Sequence, residues 1–297
     1  MKYVITGSIG HISKPLAQKL IAAGHEVTII SSKDTNRTAI RELGAKEAIG
    51  SVEDVTFLKK TFAGADAVYT MVPPNFAAAN WKEWIGQIGR NYAEAIKANY
   101  IKYVVNLSSV GADLPDGCGP VSGLYKVEQV LNTLSDVSIK HLRPSYFFDN
   151  LLANIGLIKG MKIMGSNFGG INYKLVLADT SDIADAAFEE LSNLQFSGHS
   201  VRYIASDEKT TDVIAETIGL AIGNPTLPWV VFNDEQSKAG MLQAGLPEEV
   251  AKNYTEMGAA IQSGRMMEDY WKNRPEKLGR MKLEDFAKKF TVVYNAS

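Results

Sequence analysis

The sequence predicts a doubly wound α/β fold built on a parallel sheet. Strand and helix signals alternate through the first half of the chain, the pattern of consecutive β-α units. Several strand segments are unbroken apolar runs, as in strands covered on both faces. A glycine-containing turn separates the first strand from the first helix, where such folds bind phosphate groups.

The elements follow in order. Lys2–Thr6 is short, apolar and β-branched, and ends at Gly7. Lys14–Ala23 carries Leu16, Ala17, Leu20 and Ile21 at helical spacing and is closed by Gly24, a C-terminal stop signal. Glu26–Ser31 reads as the second strand, Thr38–Leu43 as a helix stopped by Gly44, and Glu47–Ile49 as a brief third strand. Val55–Phe62 is a helix, Ala67–Met71 a fourth strand halted by Pro73-Pro74, and Asn80–Asn99 a long helix. Tyr103–Leu107 is a fifth strand, Tyr125–Leu134 a helix and Ser138–Leu142 a sixth strand.

The second half is more irregular. Phe148–Ile158 reads as helical, Gly165–Gly170 as a glycine-rich loop and Lys174–Leu177 as a strand. Ser181–Leu191 is an amphipathic helix with a Ser or Asp cap, followed by a strand at Val201–Ala205, a helix at Thr211–Ile222 and a strand at Trp229–Phe232. From Asp234 to about Phe290 the pattern is mostly helical. The expected division is a nucleotide-binding domain over residues 1–150 and a smaller α/β substrate-binding subdomain over 151–297, interleaved rather than independent.

Composition narrows the function. With 31 Lys+Arg against 33 Asp+Glu, the net charge is −2, which argues against a bulk electrostatic grip on nucleic acid. One cysteine, Cys118, excludes an intrachain disulfide and a multi-thiolate zinc site. No His/Asp/Glu cluster has metal-ligand spacing, so no metal is expected. No apolar run approaches the roughly 18 residues of a membrane span, and no secretory h-region precedes the first strand. The expected location is the cytoplasm, without membrane contact.

The turn Thr6-Gly7-Ser8-Ile9-Gly10-His11-Ile12-Ser13 suits a dinucleotide. The chain must turn sharply, its backbone must approach the pyrophosphate, and the helix must offer free N–H groups to the anion. Ser13 stands where a third small residue lets the helix pack on the strand. About 20 residues on, an acid would bind the ribose diol of NAD. Here the second strand ends in Ser31-Ser32-Lys33-Asp34, with Arg37 one turn on. Hydroxyls and cations favour the 2′-phosphate of NADP(H) over NAD(H), with Asp34 as the contrary feature.

The chain resembles the NmrA-like family, atypical members of the short-chain dehydrogenase/reductase superfamily. The resemblance rests on TGSIGHIS at the first turn, GADAVYTMVPP, YVVNLSSVGA at Tyr103–Ala112, KVEQVL at Lys126–Leu131, HLRPSYFFDNLL at His141–Leu152 and VLADTSDIADAAFEEL at Val176–Leu191. It implies a Rossmann-like NAD(P)-binding domain and a smaller substrate domain. It further implies that Gly7, Ser8, Ile9, Gly10, His11 and Ile12 lie against the pyrophosphate, that Ser32 faces the 2′ position with Lys33 and Arg37 nearby, and that Ser51 and Val52 flank the adenine. By the same resemblance Val72, Pro73 and Pro74 border the nicotinamide ribose, Ser108 lies under the nicotinamide, and Pro144, Ser145 and Tyr146 flank its carboxamide.

Ordinary members of that superfamily use a Tyr-x-x-x-Lys pair as proton donor and ribose ligand. Anchored on Glu128, Tyr125 takes the lysine slot and Val121 the tyrosine slot; shifted by one, Lys126 and Ser122 do. Neither register supplies the pair. The expected function is therefore an NAD(P)H-dependent reductase of a small conjugated substrate such as a quinone, which needs positioning and a dry pocket more than a local acid. In this reading Tyr125 or Lys126 holds the ribose and Ser108 hydrogen-bonds a substrate oxygen. The alternative is a redox-sensing NAD(P)-binding regulator with a protein partner and little turnover. Homodimerisation stays open in both.

Overall fold

A computed structural model describes residues 1–297. The chain forms β1 (Lys2–Ile5), α1 (Ser13–Ala22), β2 (Glu26–Ser31), α2 (Arg37–Glu42), β3 (Lys46–Ile49), α3 (Val55–Phe62), β4 (Ala67–Thr70), α4 (Trp81–Ala98), β5 (Tyr103–Leu107), α5 (Val121–Leu131) and β6 (Ser138–Pro144). These are followed by β7 (Tyr146–Phe147), α6 (Ile155–Met161), β8 (Met164–Ser166), β9 (Lys174–Ala178), α7 (Thr180–Asn193), β10 (His199–Ile204), β11 (Asp207–Thr210), α8 (Thr211–Ala221) and β12 (Trp229–Val231). Four helices end the chain: α9 (Asp234–Gln243), α10 (Glu248–Gln262), α11 (Glu268–Lys272) and α12 (Leu283–Ala296). No helix is long and apolar enough to cross a membrane.

Two compact units result. The first comprises Met1–Pro115, Pro120–Arg143 and Ile183–Arg202; the second comprises Asp116–Gly119, Pro144–Asp182 and Tyr203–Ser297. The division expected from the sequence lies at residue 150, with the two parts interleaved. The structure instead divides at Arg143–Pro144 and returns most of α7 and β10 to the first unit.

The first unit is built on a seven-stranded sheet of order β10-β6-β5-β4-β1-β2-β3. From β3 to β6 every neighbouring pair is parallel. The apolar runs explain the sheet's central place: Val4, Ile5, Ile29, Val68, Tyr69, Val104 and Val105 are all buried, because helices cover both faces of a parallel sheet. The chain runs outward from β1 through β2 to β3, then returns to β4 on the other side of β1. That reversal is a topological switch point, where the strand ends splay and leave a crevice. Tyr3 ties the sheet to α7 by donating its hydroxyl to the Leu191 carbonyl at 2.9 Å.

The second unit holds a three-stranded sheet of order β11-β9-β7 and a two-stranded parallel sheet of β12 and β8. Its strand β11 reads Asp-Glu-Lys-Thr and has no apolar alternation, yet it pairs antiparallel with β9. The expected helix over Phe148–Ile158 is a 3-10 segment, Phe148–Asn154, followed by α6. Helix α5 starts at Val121, earlier than the expected Tyr125, because Pro120 at its N-cap already has a helical φ of −62°.

Candidate dinucleotide site

The switch point is assembled from the turn after β1 and the end of β4. The Thr6 amide donates to the Tyr69 carbonyl at 3.1 Å, and the Met71 amide donates to the Thr6 hydroxyl at 2.8 Å. Tyr92, from α4, donates its hydroxyl to the Met71 carbonyl at 2.7 Å. Burial of the Tyr92 phenol pushes its pKa upward, so it stays a neutral donor.

Gly7 follows with φ +88°. A Cβ there would sit 2.4 Å from the Ser13 Oγ and 3.0 Å from the Met71 Cγ, so only glycine fits. Ser13 is buried, and its hydroxyl donates to the Thr6 carbonyl at 2.8 Å. The third small position of the turn thus locks helix to strand. Helix α1 begins with no side-chain cap at Ile12 and no acidic residue in its first turn. Its leading N–H groups and positive dipole end therefore suit an anion.

Beside this turn lies a cleft of about 240 Å³, lined by Gly7, Ser8, Ile9, Gly10, Ser31, Ser32, Lys33 and Asn36. It joins the phosphate turn to the end of β2. The glycine cradle, the uncapped helix and the absence of an acidic side chain from the lining fit a dinucleotide whose phosphates sit at the turn. Ser32 and Lys33 are exposed along the cleft. Asn36 is a lining residue that spacing alone did not reveal. The polar end of β2 running into a polar turn was the available signal.

The structure redirects three other side chains. Arg37, expected beside Lys33, donates to Asp34 Oδ1 at 2.7 Å and to Glu47 Oε1 at 3.2 Å, and it does not line the cleft. Lys126, expected at the ribose, pairs with Glu83 of α4 at 2.5 Å and is 40% exposed. Gly86 of α4 admits this arrangement: a Cβ there would lie 3.1 Å from the Lys126 Cδ, so the lysine stem lies over α4. Ser108, expected as a donor to substrate, is buried and donates its hydroxyl to Glu128 Oε1 at 2.5 Å. Glu128 is in turn bound by Arg143, Nη2 to Oε2 at 2.6 Å and Nε to Oε1 at 3.0 Å.

The remaining expected residues are placed as follows. His11 is exposed and Ile12 buried. Val52 is buried, Ser51 is exposed, and Asn91 of α4 donates to the Val52 and Glu53 carbonyls at 3.1 Å each. Val72 and Pro73, shortly after β4, are half-buried and Pro74 is exposed; Tyr125 on α5 is half-buried. Pro144, Ser145 and Tyr146 belong to the second unit. There the Ser145 amide donates to the Ile204 carbonyl at 3.0 Å, and the Tyr146 ring meets Phe168 edge-on at 5.6 Å. Cys118 is fully buried in that unit.

Comparison with known proteins agrees with this geometry. Residues 7–138 match the model of a family described as NAD(P)H-binding. The matched span holds the phosphate turn, the cleft and α5. Matches to curated relatives are short, spanning 19% to 23% of those proteins' lengths. One is the UDP-glucose 4-epimerase of Streptomyces lividans, 35% identical over 63 residues, which cover 21% of this chain and 19% of that protein. Among solved structures, an NADPH-dependent quinone oxidoreductase of Escherichia coli in complex with NADPH superposes with a TM-score of 0.82 at 18% identity. The match covers 97% of this chain and 99% of that one. A triphenylmethane reductase of Citrobacter sp. gives 0.80 at 16% identity, covering 98% and 100%. The fold of the whole chain is therefore that of a Rossmann-like α/β protein.

Proposed function

We propose that the protein is an NADPH-dependent reductase of a small conjugated acceptor such as a quinone. The observation that carries this reading is how the polar groups near the strand ends are committed. Ser108 gives its proton to Glu128, Lys126 is held by Glu83 on the α4–α5 surface, and no tyrosine stands four residues before a lysine on α5. A carbonyl or sugar reaction that needs a local acid or base is poorly served by this set. A conjugated acceptor takes its proton from water after reduction and needs only orientation and exclusion of competing reactions. The activities of the two structural neighbours, quinone oxidoreduction and triphenylmethane reduction, are of that kind.

When bound, the nicotinamide cofactor supplies the reducing electron pair. The chain's own residues supply placement. Gly7 and the first turn of α1 receive the pyrophosphate, and Ser32 and Lys33 offer a hydroxyl and a cation to a 2′-phosphate. Val72, Pro73 and Pro74 form a stiff wall where β4 ends, since each proline fixes φ. Tyr125, half-buried on α5, is the phenol left to meet a ribose hydroxyl.

The test is direct: purified protein is mixed with NADPH and a panel of quinones and triphenylmethane dyes, and the nicotinamide absorbance is followed. Oxidation above background supports the reductase. Tight NADPH binding without turnover on any of them favours the second reading, a cofactor-sensing regulator, to which the missing tyrosine–lysine pair is equally suited.

A further inference from the structure

Strand β10 lies beside β6 at the edge of the seven-stranded sheet. The Ile139 amide donates to the Gly198 carbonyl at 2.7 Å, and in a parallel ladder that bond puts Lys140 opposite Ser200. His141 turns toward Asn132, at the end of α5, so Lys140 points to the other face of the sheet. There a cleft of about 440 Å³ opens. Lys140, Ser200 and Arg202 line it from the sheet, and Glu189, Glu190 and Asn193 from the end of α7. The chain leaves α7 through Leu194, at a left-handed φ of +47°, uncommon for a residue with a side chain, and adds Phe196 to the lining. This cleft sits at the starts of β6 and β10, whereas the phosphate turn follows the end of β1.

The charges in this cleft are separated. Arg202 holds both acids of α7, Nη2 to Glu189 Oε2 at 2.7 Å and Nη1 to Glu190 Oε1 at 3.0 Å. Two carboxylates against one guanidinium leave a negative charge unbalanced. No basic residue stands in the last turn of α7, so the helix dipole adds negative potential at the same end. Lys140 pairs with neither acid; its ammonium rests over the Phe196 ring at 5.7 Å. Beside it, the Ser200 Oγ is shielded from solvent and has no hydrogen-bond partner, which costs free energy until a partner arrives. A lone anion or a lone cation suits one of these two ends and is repelled by the other. A small molecule carrying both charges suits both.

We propose that this cleft binds a small zwitterion of the amino-acid class, its carboxylate taken by Lys140 and Ser200 and its ammonium by Glu189 and Glu190. The volume suits a small ligand, and the site is independent of the dinucleotide cleft. The test is isothermal titration calorimetry of the full chain with each of the twenty common amino acids, then with the N-acetyl and carboxamide derivatives of the tightest binder. At least one amino acid is expected to bind with a Kd below about 1 mM. Each derivative has lost one charge and should bind at least about tenfold more weakly. Lys140→Met keeps an apolar stem beside Phe196 but removes the charge, and should weaken binding by about tenfold or more. Ser200→Ala should weaken it by about three- to tenfold, yet leave the melting temperature of the ligand-free protein unchanged or raised, since no hydrogen bond is lost. A hydroxyl with a purely structural role would lower that temperature. Binding of none of the twenty overturns the proposal, as do derivatives that bind as tightly as the parent. Wild-type affinity in both variants, each folded by circular dichroism, places the ligand elsewhere and overturns the site; Ser200→Ala alone serves if Lys140→Met does not fold.

Discussion

Ser108 at the end of β5 gives its hydroxyl proton to Glu128 of α5, and Arg143 of β6 grips the same carboxylate. The side chains of Glu128 and Arg143 are only 2% and 8% exposed. A buried ion pair of this kind gains little over apolar packing, but removing one member leaves a charge in low dielectric. Glu128→Ala should therefore destabilise the fold by about 3–5 kcal/mol. Ser108→Ala should cost about 1.5–3 kcal/mol, the value of a hydrogen bond to a charged acceptor. If Ser108 serves the carboxylate rather than the substrate, its turnover stays within about threefold of wild type, under 1 kcal/mol of barrier. Urea unfolding and quinone-reductase kinetics on the same preparations check both halves. A collapse of kcat at undiminished stability would return Ser108 to the chemistry.

The phosphate turn makes a second prediction. Gly7→Ala meets two obstacles at once: a left-handed φ of +88°, and a Cβ 2.4 Å from the Ser13 Oγ. The strain alone is of order 1–2 kcal/mol. The clash pushes Ser13 away from the Thr6 carbonyl and moves the start of α1. NADPH affinity should fall by more than about tenfold. Adding Ser13→Ala should restore part of the stability, since the clash goes, but not the affinity, since the backbone strain remains. Thermal melting paired with fluorescence titration separates the two.

Sheet and turn were legible in the sequence because their signals are local. Unbroken apolar runs such as Val4-Ile5 and Val104-Val105 mark strands covered on both faces, and Gly7 marks a turn by its own backbone need. Side-chain direction was not legible. Arg37 and Lys126 are cations at plausible spacings, but their directions are set by Glu47, ten residues away, and Glu83, 43 residues away. Asn36 acquires its meaning only when β2 lies beside β1 and brings Ser8 within 2.9 Å. Strand β11 escaped notice because its residues are polar; pairing with the apolar β9, not its own pattern, makes it a strand.

The two cations of the second turn should behave differently. Arg37 is tied to Asp34 and Glu47 at the surface, and exposed ion pairs contribute little. Arg37→Ala should leave NADPH affinity within about twofold. Lys33 lines the cleft, so Lys33→Ala should weaken NADPH by about three- to tenfold at low salt, less at high salt, and spare NADH. Titrations at two ionic strengths decide the matter. Equal losses in both variants would place Arg37 back at the phosphate.

His141 gives the fold a pH dependence whose sign is set. It is 1% exposed in β6, and burial lowers its pKa from 6.5 to about 4. Glu128 pulls the other way, and Arg143 and His199 add to the lowering. The neutral ring fits its partners: Nδ1 accepts from the Asn106 Nδ2 at 3.1 Å, and Nε2–H donates to the Asn132 Oδ1 at 2.9 Å. Asn106 completes the chain by accepting the Thr70 hydroxyl at 2.9 Å. The native ring binds fewer protons than the unfolded one. Its contribution is therefore complete above about pH 6.5 and is lost as the pH falls toward 4. The loss should reach about 2 kcal/mol at pH 5 and about 3 kcal/mol at pH 4. Glu47, whose carboxyl Arg41 holds at about 2, adds its own loss only at lower pH. Unfolding free energies at pH 7, 6 and 5 should thus decline in the wild type and stay nearly level in His141→Gln. That variant starts less stable but has no ring to protonate. Parallel declines in the two proteins would assign the acid sensitivity to other groups.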